Sequence, residues 1–167
     1  GSSFCVDTMD TLITVLFLLC VPYIQIFLLN PLSPRSFPDV SPSLFLASLV
    51  LLSSKIPAAH SYIYAFLLGC VSSILCGHPL AFDSLSFLAI VYGVKKFSEN
   101  FDMTGFGGQF VLGFASAIFH FIFLYISHQF ITVNYPPFAG VLPGALTTGI
   151  LLAVLFNTVL KNRKQMR

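Results

Sequence analysis

The segment Gln109–Ile131, with the sequence QFVLGFASAIFHFIFLYISHQFI, contains no Asp, Glu, Lys or Arg. A helix needs about 20 apolar residues to cross the roughly 30 Å hydrocarbon core of a bilayer. The segment therefore predicts a transmembrane helix, and it decides how the rest of the chain is interpreted.

The whole chain has the composition of a membrane protein. Only 8% of its 167 residues are charged, and its mean hydropathy is +0.90. A soluble domain carries about 25% charged residues, which it needs to cover its surface. The composition argues against a soluble enzyme, and no patch typical of nucleic-acid binding is visible.

Five more apolar runs are long enough, or nearly so, to span the bilayer. They cover residues 11–29, 43–56, 60–76, 80–97 and 138–160. The run 43–56 is the shortest, and it follows a connection rich in proline. We expect an all-α integral membrane protein with six transmembrane helices in one bundle, forming a single domain over residues 1–167.

The few charges also give an orientation. Only eight charged residues lie between Thr11 and Leu160, mostly at the ends of apolar runs. Six crossings put seven of the eight basic residues on one side: Lys55, Lys95, Lys96, Lys161, Arg163, Lys164 and Arg167. Arg35 alone falls on the other side. The positive-inside rule then places both termini in the cytoplasm, and the basic tail is expected to attract anionic lipid.

Few residues suit metal binding or catalysis. The four cysteines form no CxxC motif, so we expect them to be small buried hydrophobes. His120 and His128 are eight residues apart, or about 12 Å along a helix, and cannot share a metal ion without further ligands. We expect His120 to pack inside the bundle with a hydrogen bond and His128 to lie near the outer interface. No cofactor or metal is expected.

Asp83 is the one acidic residue inside a predicted span. It either forms an outer polar cluster with His78 and His128, which could hold a ligand or ion, or is simply a carboxylate at a helix N-terminus. An intramembrane enzyme would need paired catalytic groups. Ser72, Ser73, Ser116 and His120 form no recognisable motif, so we do not expect an enzyme.

Small residues recur at helical spacing in three spans. They are Gly69, Ser73 and Gly77 in the third, Gly113 and Ala117 in the fifth, and Gly140 and Gly144 in the sixth. Such faces let helix backbones approach closely in lipid. They either hold this bundle together or dock the transmembrane helix of a partner.

The segment 69–85, GCVSSILCGHPLAFDSL, resembles the signature of the rod shape-determining protein MreD family. Gly69, Gly77, Pro79 and Leu80 match that signature, and Pro38-Asp39 is similar to the family's Pro-Asp-Leu-Leu before the second helix. Two positions depart from it: Ser73 stands where the family usually has an acid, and Ala81 replaces a glycine.

The resemblance implies a non-enzymatic scaffold in the bacterial cell (inner) membrane. Such proteins bind MreC and help couple MreB filaments to the peptidoglycan synthases, namely RodA and its penicillin-binding transpeptidase. The alternative is the small-molecule-binding S component of an energy-coupling-factor transporter, whose fold is similar. Those components dock through alanines spaced by four in the first span, and Thr11–Leu29 contains neither Ala nor Gly.

Overall fold

The computed structural model describes residues 2–25, 27, 43–76, 80–101, 105–129 and 141–165. Within these ranges the chain is helical, with no strand. Six helices follow one another: α1 (Ser2–Ile24), α2 (Leu44–Ser53), α3 (Ala58–Cys76), α4 (Leu80–Asn100), α5 (Phe106–Gln129) and α6 (Val141–Gln165). The all-helical prediction is confirmed for the part of the chain that these ranges cover.

Three helices are long and apolar enough to cross a membrane. The qualifying segments are Ala58–Leu75 in α3, Phe106–Ser127 in α5 and Val141–Thr158 in α6. Many large apolar side chains on the bundle surface point outward, including Leu19, which is 69% exposed, and Ile74, which is 68% exposed. A surface with so much exposed apolar area is suited to lipid rather than water, as expected of a membrane protein.

The remaining three helices differ from a simple spanning helix. α1 starts within the polar N-terminal residues, and its apolar part is the shorter segment Val15–Ile24. α4 has the length to span but carries Asp83, Lys95, Lys96 and Glu99. α2 has only 10 residues, about 15 Å of helix, or half the hydrocarbon core.

α2 is the centre of the bundle. Nine of its ten residues are buried, and it contacts all five other helices. The first backbone N–H groups of a helix have no hydrogen-bond partner within the helix. At the buried start of α2, side chains from distant parts of the sequence accept these hydrogen bonds. Leu44 N donates to Gln25 Oε1 at 2.6 Å, and Ser43 N donates to Thr148 Oγ1 at 3.1 Å. Ser43 also caps the helix by accepting from Leu46 N.

The other helices pack around α2 as two close pairs. α3 packs most extensively against α4, and α5 against α6, while α4 and α5 meet over a smaller area. The largest fully buried side chains include Tyr64, Phe87, Phe156 and Leu46. Tyr64 is buried with its hydroxyl 3.1 Å from Ser48 Oγ, which links α3 to α2.

Two cysteines are not as deeply buried as expected. Cys20 is exposed on α1 and Cys70 is partly exposed on α3. α1 presents much of its apolar side outward, so a small apolar side chain there faces the surroundings instead of the core. Both thiols are free in the part of the chain that is described.

Candidate functional site

The α3 and α4 helices approach each other very closely at Gly69. A Cβ atom added to Gly69 would lie 2.4 Å from Ser84 Cα and 2.7 Å from Ser84 N. No side chain fits between backbones at that distance, so glycine is required at position 69. Ser84 Oγ also donates to Phe66 O at 3.3 Å and lies 3.5 Å from Cys70 Sγ. The small residue predicted to permit close packing does so within this chain.

A buried polar contact lies beside this approach. Ser73 Oγ donates to Asp83 Oδ2 at 3.2 Å, and both residues are fully buried. Asp83 is in the first turn of α4, where the positive end of the helix dipole favours a carboxylate. The acid is therefore a first-turn carboxylate, as one of the two interpretations expected, but it faces the α3 helix in the interior.

A second buried polar contact joins α4 to α5. His120 Nδ1 lies 2.8 Å from Ser86 Oγ, and the His120 ring packs at 5.2 Å from the Phe87 ring. His120 is buried and hydrogen-bonded inside the bundle, so that expectation is confirmed. α4 thus carries a buried polar stripe that consists of Asp83, Ser84 and Ser86. This stripe contacts both α3 and α5.

The small residues of α5 and α6 also pack within the chain. A Cβ on Gly113 would lie 2.8 Å from Leu152 Cδ2 and 3.2 Å from Gly149 Cα. Ala117 is fully buried, and Gly144 is buried while its carbonyl accepts from Thr148 Oγ1 at 2.7 Å. These faces hold the bundle together.

The other predicted site residues fall outside the part of the chain that the structure describes. Gly77, His78, Pro79 and Gly140 lie outside the described residues, and so does the side chain of His128. The outer polar cluster of His78, Asp83 and His128 therefore stays a prediction.

The basic residues that are described gather at one end of the bundle. Lys55 Nζ lies 5.6 Å from the centre of the Phe156 ring of α6. Lys95 Nζ donates to Ile56 O, just after α2, at 2.6 Å. The ends of α2 and α4 and the second half of α6 thus lie close together at one end of the bundle.

An open apolar groove runs between α4 and α5, where the two close helix pairs meet. Its volume is about 290 Å³. Ala89, Gly93 and Phe97 line it from α4, and Leu112, Ala115, Ser116 and Phe119 line it from α5, with Ile90 and Val94 at its floor. A Cβ on Gly93 would meet nothing within 4 Å. The sequence pattern did not lead us to predict this groove, although Ala89, Gly93 and Phe97 recur every four residues and mark one face of α4.

Among the described residues, no group of three or more His, Cys, Asp or Glu side chains could hold a metal ion. Comparisons of the chain with protein-family models, with characterised proteins and with solved structures give no match. The function must therefore be argued from the chain's own residues.

Proposed function

We propose that this protein is a non-enzymatic membrane scaffold of the MreD type in the bacterial cell-elongation complex. In this proposal it crosses the inner membrane six times, with both termini in the cytoplasm. It binds MreC and helps couple MreB filaments to RodA and its penicillin-binding transpeptidase.

The observation that carries the proposal is the contact between Ser73 and Asp83. The segment that resembles the MreD signature, 69–85, contains both sides of the close approach between Gly69 of α3 and Ser84 of α4. The signature's acid is replaced by Ser73, yet Asp83 lies one hydrogen bond away from that serine. A carboxylate is thus present at this helix contact, although α4 supplies it in place of α3. This supports the resemblance at the position where the sequence departs from it most.

The position of α2 supports six crossings despite its short length. Its start is tied to Thr148 and its end is near Phe156, eight residues further along α6. α2 therefore runs alongside α6 and carries the chain from the interior of the bundle to the end where Lys55 and Lys95 lie. The direction in which α2 runs is the one expected if the basic residues lie on the cytoplasmic side.

The outer surface supports a binding role within the membrane. Gly69 and Gly113 are used inside the bundle, so a partner helix would contact the outward-facing apolar side chains instead. Helices associate in lipid mainly through shape and packing. A helix bundle with an apolar exterior offers such surfaces to a partner helix.

The test is co-purification in detergent with MreC from the same source. The proposal predicts that the tagged full chain retains MreC through size-exclusion chromatography. Loss of MreC, together with a tightly bound small molecule detected by mass spectrometry, would overturn the proposal and favour the transporter S component.

A further inference from the structure

The groove between α4 and α5 has the shape and surroundings of a lipid site. It extends from Ala89 to Phe97 along α4, a distance of about 12 Å at 1.5 Å per residue. One leaflet of the hydrocarbon core is about 15 Å thick, half of the whole. The groove is therefore close in length to the acyl region of a single leaflet.

The walls of the groove suit a flexible chain. Small residues, Ala89, Gly93 and Ala115, leave its centre open, and Phe97 and Phe119 stand at its two ends. Phe97 stacks on Phe101 with ring centres 4.5 Å apart, which extends the aromatic wall toward the end of α4. Ser116 is the one hydroxyl-bearing residue among the lining residues.

An exposed cation, Lys96, is close in α4 to the groove-lining residues Gly93 and Phe97. Lys96 is three residues after Gly93, so the two share a side of α4, and its side chain is 59% exposed. Lys96 Nζ pairs with Glu99 at 3.5 Å, but an exposed pair of this kind contributes little and is readily replaced. Lys95, in contrast, is already bound to Ile56 O. Lys96 is thus the lysine of α4 that can reach a headgroup.

We propose that the α4–α5 groove binds one anionic phospholipid of the leaflet on the Lys96 side, with an acyl chain along Gly93 and the headgroup phosphate on Lys96. The apolar groove and the lysine favour the same molecule, since a zwitterionic lipid such as phosphatidylcholine carries a choline cation that offsets the attraction of its phosphate to Lys96.

Native mass spectrometry of the purified full chain tests the site with two probes, phosphatidylglycerol and phosphatidylcholine. We expect the wild-type protein to retain one phosphatidylglycerol in preference to phosphatidylcholine. Gly93→Leu places a branched side chain in the groove, at a position where an added Cβ meets nothing within 4 Å, and should abolish retention of both lipids. Lys96→Gln should lower the preference for phosphatidylglycerol roughly fivefold, the effect of one lysine near an anionic surface. Glu99→Gln should raise the preference for phosphatidylglycerol, because it removes the anionic partner of Lys96.

Matched controls separate this site from general effects. Lys55→Gln removes one charge at the same end of the bundle but away from the groove, and Ala59→Leu enlarges an exposed residue on α3. Both should retain lipid as the wild type does. The proposal is overturned if Gly93→Leu keeps the lipid, or if Lys55→Gln loses the preference as much as Lys96→Gln. This test does not depend on MreC binding, so the two proposals can fail separately.

Discussion

Replacing Gly69 by alanine tests the α3–α4 contact directly. The added Cβ would lie 2.4 Å from Ser84 Cα, whereas ordinary contacts begin near 3.4 Å, so the helices must separate by 3.4 − 2.4, about 1.0 Å. The obstacle is backbone, which cannot rotate away as a side chain does. Because α3 and α4 form one of the most extensive contacts, the separation also weakens neighbouring contacts along both helices.

The expected change in the free energy of unfolding is the balance of two opposing effects. Overpacking in a close-packed core costs about 1–3 kcal/mol, and a 1 Å gap forfeits up to about half of the dispersion energy of each affected contact. The upper end, about 3 kcal/mol, therefore applies here. Alanine recovers about 1 kcal/mol of helix propensity over glycine. We expect Gly69→Ala to lower the free energy of unfolding by about 2 kcal/mol.

Gly93→Ala is the matched control. It makes the same chemical change in the adjacent helix, where the new Cβ meets nothing within 4 Å. We expect it to be neutral or to stabilise by up to about 1 kcal/mol. The measurement is reversible unfolding in mixed micelles with increasing SDS, followed by far-UV circular dichroism. Equal stability of the two variants would refute the close backbone contact.

Two further sets of substitutions probe the buried polar contacts. Ser73→Asp places a second carboxylate beside Asp83 and should destabilise the protein by several kcal/mol, whereas the double variant with Asp83→Ser should recover most of that loss in the same SDS titration. No recovery would mean that the two positions are not in contact. Tyr64→Phe should cost only about 1 kcal/mol, because Ser48 Oγ keeps its hydrogen bond to Phe45 O, but Tyr64→Ala should cost about 3–5 kcal/mol through the cavity it leaves. Similar losses for both Tyr64 variants would contradict the contact as described.

Helix positions followed from apolar runs where those runs are long. The prediction for 109–131 is within three residues of α5 at each end, and 60–76 is within two residues of α3. Length and hydropathy suffice in these cases because a spanning helix needs both. The polar N-terminal part of α1 and the helical tail after Leu160 were missed, since hydropathy does not report helix that extends beyond the apolar region.

The role of α2 could not be predicted from the run 43–56. Burial in a protein core and exposure to lipid both require apolar residues, so the sequence does not distinguish a central half-length helix from a short span. What permits the buried start is a pair of distant acceptors, Gln25 and Thr148. The latter is 105 residues away from Ser43 in the chain, so no local pattern indicates it.

The candidate site was predicted in part for a similar reason. Spacing identified Gly69 and Ser73 as one face of a helix, and that face does pack closely. Spacing could not show that Asp83 would meet Ser73, because this depends on how α3 and α4 align across the turn. Nor could it show that Gly113 packs within the chain while Gly93 remains open.

The central proposal is that the bundle crosses the membrane six times and has its basic ends in the cytoplasm. Single cysteines at positions 35, 55, 96 and 164, in a chain without its native cysteines, test it directly. In intact cells an external, membrane-impermeant maleimide is expected to label Arg35→Cys and to leave Lys55→Cys, Lys96→Cys and Lys164→Cys unlabelled until the membrane is opened. Equal accessibility of positions 35 and 55 would show that α2 does not carry the chain across, and would contradict the account.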